Sequence, residues 1–293
     1  MLIEVAGGQI HAVIEGEGPT VLLVHGFPEG AWAWRHQLPA LAAAGYRAVA
    51  IDVRGYGESL APRPVEAYRM LAHVGDNVAV LRALGAETAV VIGHDWGSPI
   101  AAASAQVRPD LFAAVGMLGV PYTPRGDAPP QFPADFYVRH FQAPGLAEAE
   151  IESDVRGWLR RFYAALTDGA PGWFTVPMQL PDAPLPDWVA DFDAITATFE
   201  RNGFSGPLNR YRNFTRDWED LAAFDDLLQP AIFITGERDS TRLWLGDVIE
   251  RQPEWLPGLT GTHLIPDCGH WLQQERPEQV NTLLLDFLDG LAL

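Results

Sequence analysis

The chain has 293 residues, 48% of them hydrophobic and 20% charged, which reads as globular and excludes a disordered chain. That length holds one large α/β domain, or one with a sizeable insertion. A net charge of −18 argues against nucleic acid and against an anionic membrane surface as partners.

The N-terminus, Met1-Leu2-Ile3-Glu4-Val5, lacks the basic-then-apolar order of a signal peptide. Residues 2–5 and 9–15 are expected to form antiparallel edge strands. Residues 20–24 and 48–51 read as buried strands, the first ending in His25-Gly26 and the second closed by Asp52 and the turn Arg54-Gly55-Tyr56-Gly57. That turn lacks the third glycine and the basic partner of a nucleotide loop. The apolar run 89–92 leads into Gly93-His94-Asp95-Trp96-Gly97, followed by a helix whose Ala101, Ala102, Ala103 and Ala105 allow close packing, and then by a strand over 114–120.

From 124 to 224 the pattern changes to a stretch rich in Pro, Trp, Phe and Tyr, with helical pieces over 147–166 and 189–202. This is too long for a plain loop and is expected to be a helical cap inserted into a core of residues 1–123 and 225–293. Tyr163, Trp158, Trp173, Trp188 and Trp218 read as aromatic packing within it. Strands follow at 231–235 and 262–265. The last helix starts at Pro277 and puts Val280, Leu284, Phe287, Leu288 and Leu291 on one face. Strands apolar on both faces with helices between them indicate a mostly parallel sheet covered on both sides. No apolar run approaches the roughly 18 residues of a membrane span. A lone cysteine, Cys268, excludes a disulfide framework and a cysteine-based metal site. A soluble, cytoplasmic protein is expected.

The chemistry concentrates at Asp95. Gly93–Gly97 has the G-x-nucleophile-x-G spacing of the strand-to-helix elbow in α/β-hydrolases, with aspartate in the place of serine. A carboxylate is already a charged nucleophile and suits displacement at an alkyl carbon. It therefore points to cleavage of a C–O or C–halogen bond through a covalent alkyl ester. The helix N-terminus favours its ionised form. Partners in this fold follow in the order nucleophile, acid, histidine, and Asp239 and His270 sit just past the strands at 231–235 and 262–265. Glu237 and Asp267 are rivals for the acid. His270 would activate water, Asp239 would orient the imidazole, and the backbone amides of Phe27 and Trp96 would form the oxyanion hole. His25 and His94 read as structural hydrogen-bonding residues, and Cys268 as a small buried packer. The remaining histidines show no metal-ligand spacing, and neither a metal nor a cofactor is expected.

His25-Gly26-Phe27-Pro28, Gly55-Tyr56-Gly57-Glu58-Ser59, Gly93-His94-Asp95-Trp96-Gly97 and Asp267-Cys268-Gly269-His270-Trp271 resemble the α/β-hydrolase-type epoxide hydrolases, notably the hydrolase domain of soluble epoxide hydrolase. The resemblance spans about residues 3–290; the phosphatase domain of the vertebrate enzymes has no counterpart here. It implies conversion of an epoxide to a vicinal diol and two cap tyrosines that hydrogen-bond the epoxide oxygen. Tyr137 in Phe136-Tyr137-Val138 and Tyr211 in Arg210-Tyr211-Arg212 stand at the matching places. Val138 departs from the polar residue the family often carries there. Phe27, Pro28, Trp96, Val138 and Trp271 are the implied pocket wall, and an exposed cap face is compatible with a homodimer.

Two other readings compete. A haloalkane or haloacetate dehalogenase shares the triad, yet Phe27 stands where haloalkane dehalogenases often carry asparagine, and Trp96 where haloacetate dehalogenases carry arginine. A silent α/β-hydrolase serving as a binding module is expected to have lost a triad member, and all three stand.

Overall fold

Aliphatic strands buried on both faces build the centre of the molecule. The computed structural model describes residues 1–167, 169, 174–176, 178, 180–224 and 226–291. Trp173 and the expected boundary residue Asp225 lie outside them. Eight strands form one sheet: β1 (Leu2–Val5), β2 (Gly8–Glu15), β3 (Thr20–Val24), β4 (Arg47–Ile51), β5 (Ala89–His94), β6 (Phe112–Leu118), β7 (Ala231–Gly236) and β8 (Leu259–Ile265). Their order is β1-β2-β4-β3-β5-β6-β7-β8. The β1–β2 and β2–β4 pairs are antiparallel, and every later pair is parallel.

Period-2 alternation sorts each central strand into two cores. Leu22 and Val24 join one apolar cluster, and Val21 and Leu23 join the other. Helices α2 (Met70–Ala83) and α3 (Gly97–Val107) cover the first face, through Val74, Leu81, Ile100 and Ala101. Helices α1 (Gln37–Ala43) and α12 (Pro277–Asp289) cover the second, through Leu38, Leu41, Val280 and Leu284. At the far edge, β8 alternates exposed with partly buried residues, as a strand covered on one side does.

Six α-helices stand between β6 and β7 among the described residues: α4 (Tyr137–Phe141), α5 (Leu146–Glu152), α6 (Val155–Thr167), α7 (Phe192–Asn202), α8 (Ser205–Tyr211) and α9 (Phe214–Asp220). The single helix expected over 147–166 is thus two. Asp154 turns its carboxylate onto the Gly157 N–H at 2.9 Å, capping a new helix and breaking the old one. The strand expected over 114–120 starts earlier and stops at Leu118, because Gly119 takes a φ of 75°. The strand expected to begin at 262 begins at Leu259, and the helix expected from 189 begins at Phe192.

Polar bonds fasten this helical insertion to the sheet domain. Asp217 on α9 accepts the Met70 N–H at 2.6 Å, and Asp220 pairs with Arg69. Asn202 donates to the Gly57 carbonyl and Asn213 to the Val65 carbonyl, both at 2.7 Å. After β7 come α10 (Arg242–Trp255) and the short α11 (Leu272–Glu275). No helix among the described residues is long and apolar enough to cross a membrane.

Candidate active site

Strand β5 ends at His94, and α3 begins at Gly97, so the chain reverses within two residues. Asp95 takes a φ of 51°, the left-handed region that non-glycine residues seldom occupy. The turn is possible because the flanking positions lack side chains. A Cβ at Gly93 would lie 1.9 Å from the Gly97 carbonyl oxygen, and one at Gly97 would lie 1.9 Å from that of Val24. Asp95 is therefore lifted off the sheet at the carboxyl ends of parallel strands, where such sheets bind ligands.

Three loops converge on it. From the loop after β3, the Phe27 N–H donates to Asp95 Oδ1 at 2.7 Å. From the loop after β8, His270 Nε2 lies 3.4 Å from Asp95 Oδ2. From the loop after β7, both oxygens of Asp239 lie 3.1 Å from His270 Nδ1. The Asp95 side chain keeps 17% of its surface exposed, against 1% for His270 and none for Asp239. The first carboxylate can be reached by a small molecule, and the second can act only through the imidazole. The rival acids stand aside: Glu237 accepts the Asp267 N–H at an exposed position.

Burial works against each charge, but the neighbours prevail. It raises the Asp95 pKa, yet the His270 hydrogen bond and charge, together with the Phe27 N–H, hold it below the usual carboxylate range. Burial likewise opposes the Asp239 charge, and the His270 charge and bond with the Thr241 bonds hold its pKa low. Burial depresses His270, but Asp239 and then Asp95 hold its pKa well above the ordinary histidine value.

Across from Asp95, Tyr137 opens α4 and Tyr211 closes α8, their ring centroids 6.0 Å apart and nearly perpendicular. Tyr211 also stands edge-on to Trp96 at 5.0 Å and to Phe27 at 5.5 Å. Burial, followed for Tyr137 by the Asp95 charge and for Tyr211 by Tyr137 and Asp95, raises both phenol pKa values well above normal. Both hydroxyls stay protonated and remain donors at neutral pH. Phe27 and Val138 are buried beside them, Pro28 is held through its carbonyl by the Tyr163 hydroxyl at 2.8 Å, and the Trp271 ring lies edge-on to His270 at 4.9 Å.

The flanking histidines have both ring nitrogens bonded within the protein. His25 Nδ1 faces the Gly26 carbonyl at 2.8 Å, and its Nε2 accepts the Val53 N–H at 3.0 Å. His94 sits 2.8 Å from Glu29 on one side and 2.8 Å from the His270 carbonyl on the other. Cys268 is fully buried within the apolar core, and burial pushes its thiol pKa up. Several supporting residues carry no sequence motif. Thr241 donates twice to Asp239 Oδ1, from its N–H at 3.0 Å and its hydroxyl at 2.9 Å. Gln142 donates to the Val138 carbonyl at 3.0 Å and the Tyr211 carbonyl at 2.8 Å, tying the two tyrosine helices together. Buried Arg212 adds a second tie, donating to the Phe141 carbonyl and pairing with Glu148 at 2.7 Å.

The family model for the alpha/beta hydrolase fold matches residues 19–277. Epoxide hydrolase B of Mycobacterium tuberculosis is 40% identical, with 99% of this chain and 98% of that protein covered. The chain belongs to the epoxide hydrolases of the α/β-hydrolase family. An epoxide hydrolase from an endophytic Streptomyces superposes with a TM-score of 0.95 at 55% identity, covering 99% of this chain and 95% of that one. The bifunctional epoxide hydrolase 2 of Sus scrofa is 36% identical over 97% of this chain but only 54% of its own length. This epoxide hydrolase therefore aligns with part of the longer mammalian protein.

Proposed function

We propose that this epoxide hydrolase works in two covalent half-reactions, with Asp95 as nucleophile, His270 as base and Asp239 as its orienting acid. The observation that carries the reading is Asp95 itself. One of its oxygens is held by the Phe27 N–H, and the other faces His270 beneath two protonated tyrosines. In the first half, Asp95 Oδ2 attacks an epoxide carbon, the C–O bond breaks, and its electron pair goes to the ring oxygen. Tyr137 and Tyr211 donate hydrogen bonds to that oxygen, and one phenol gives it a proton. In the second half, His270 takes a proton from water as the water oxygen adds to the ester carbon. The oxyanion on Oδ1 is met by the Phe27 and Trp96 amides. Collapse breaks the bond from the ester carbon to the substrate oxygen, which takes the proton held by His270. The second water proton leaves the Asp95 carboxyl and restores the phenol, releasing the diol.

In this reading residues 124–224 are a cap over a core of 1–123 and 225–293. Phe27, Pro28, Trp96, Val138 and Trp271 wall the substrate site, with no cofactor or metal in the chemistry. A cytoplasmic setting, and a homodimer through the outer cap face where Leu146 is exposed, belong to the same proposal. A single turnover in H₂¹⁸O tests the covalent route. The label should appear in the Asp95 peptide and not in the diol, whose new oxygen comes from Oδ2. Label in the diol would mean direct attack by water.

The charges also predict a pH effect. In the free enzyme two carboxylates hold His270 protonated above its ordinary pKa. Esterification removes the Asp95 charge, so the His270 pKa falls just when a neutral imidazole is required. As the pH drops, His270 of the ester stays protonated and hydrolysis slows. Asp95, whose own pKa is held low, remains ionised and keeps attacking. Rapid-quench mass spectrometry of the wild-type enzyme at steady state should show more ester at acid than at neutral pH. A fraction that falls with acidity would refute this.

A further inference from the structure

His270 rides on a short loop in which the N–H groups of Gly269, His270 and Trp271 are all bonded. Its own N–H donates to the Leu166 carbonyl at the end of α6 at 3.1 Å, and its carbonyl lies 2.8 Å from His94 Nε2. The amides on either side go to one carboxylate. Gly269 N–H donates to Glu275 Oε2 at 2.9 Å, and Trp271 N–H donates to Glu275 Oε1 at 3.0 Å. Glu275 closes the single turn of α11 and is bonded through its backbone N–H to the Trp271 carbonyl at 2.8 Å. Its carboxylate thus spans the residue that activates water, with one oxygen for each flanking peptide.

We propose that Glu275 is a positioning residue for the hydrolytic half-reaction, fixing the path of the His270 backbone so that Nε2 points at the Asp95 ester. This rests on the roles given above to Asp95 and His270. The geometry leaves little slack: Nδ1 must keep both Asp239 oxygens at 3.1 Å while Nε2 stays 3.4 Å from Asp95 Oδ2. A small rotation of either flanking peptide would lose one relation or the other. Asp95 does not depend on this clamp, since the elbow and the Phe27 N–H hold it. Glu275 therefore affects ester hydrolysis and leaves ring opening alone. The carboxylate is hard to replace because both its partners are donors. A glutamine accepts one amide and turns its own NH₂ against the other. An aspartate keeps the charge but is one methylene short of spanning both.

The outer side of Glu275 borders a cleft of about 410 Å³ lined also by Thr167, Trp188, Arg238 and Arg276, so substitution there does not open a hole in the core. Burial outweighs the two amides and the His270 charge and raises the Glu275 pKa above the ordinary carboxylate value, so it is the paired geometry of the two bonds that marks the clamp.

The test resolves the two steps. Ester formation and decay are followed by rapid-quench intact mass with an aryl epoxide in the wild type, Glu275→Gln, Glu275→Asp and His270→Gln, with thermal unfolding to establish that each is folded. Ester should form at the wild-type rate in both Glu275 variants. Its decay should slow by about 10- to 100-fold in Glu275→Gln, the cost expected when a catalytic group is displaced by a fraction of an ångström to an ångström. Glu275→Asp should lie between. Decay at the wild-type rate in both variants would overturn the inference. So would formation and decay slowing by the same factor, which marks general damage. Absence of ester in folded His270→Gln would instead overturn the triad roles themselves, and this inference with them.

Discussion

His270→Gln is expected to give an enzyme that takes up epoxide once and holds it. Asp95 keeps its Phe27 donor and its place in the elbow, so ring opening proceeds. The water that should attack the ester has lost its base, and hydrolysis falls by about 10²- to 10⁴-fold. Intact mass should rise by that of the whole epoxide, and digestion should place the gain on the peptide holding Asp95. Offering a haloalkane alongside the epoxide makes the experiment decisive between chemistries. A gain of the haloalkane less HX, with none from the epoxide, would mean a dehalogenase-type site. A folded variant that gains nothing from either would remove Asp95 from the mechanism.

The second large effect concerns Tyr137 and Tyr211. An alkoxide is a poor leaving group in water-poor surroundings unless an O–H meets it, and burial keeps both phenols protonated. Tyr137→Phe and Tyr211→Phe should each slow ring opening by about 100-fold, and the pair by about 10⁴-fold. An activated alkyl halide provides the internal control, because halide departs without a proton. The double variant should therefore be alkylated by it at close to the wild-type rate. If both substrates lose rate equally, the tyrosines shape the pocket and nothing more. If the double variant opens epoxides nearly as fast as wild type, another donor must be found.

Much of this was readable in the chain. The central strands announce themselves because they are buried on both faces, so their aliphatic runs are unbroken. The elbow is legible because two glycines must flank a strained residue, and those at 93 and 97 have no room for a Cβ. Helix α2 was harder. Its buried face includes His73, Asp76 and Asn77, which spoil an apolar stripe, and it tolerates them because Asp76 pairs with Arg54 and Asn77 donates to Ser104. The α5–α6 break was hidden for the opposite reason: Ile151, Val155, Trp158 and Leu159 keep helical spacing across Ser153 and Asp154. Within the site, the residues that belong to sequence motifs, Asp95, Asp239 and His270, stood out. Thr241, Gln142 and Glu275 did not, because each acts by bonding to groups brought near only by folding. An aspartate just past a strand end has a place in a motif, whereas a glutamine that joins two carbonyls of separate helices has none.

The anchoring of α6 separates the protein into parts with different freedoms. Its last turn receives the His270 N–H at Leu166 and the Trp271 indole N–H at the Tyr163 carbonyl, while the Tyr163 hydroxyl reaches Pro28 beside the oxyanion loop. Helices α4 and α8, which carry the phenols, are joined to each other through Gln142 and Arg212. Selection for a new epoxide can thus work on side chains of α4 and α8 other than the two phenols, while Leu166 and Tyr163 of α6 keep their bonds to the His270 loop. Residues along α6 have no such liberty, and a change there would disturb turnover of every substrate alike.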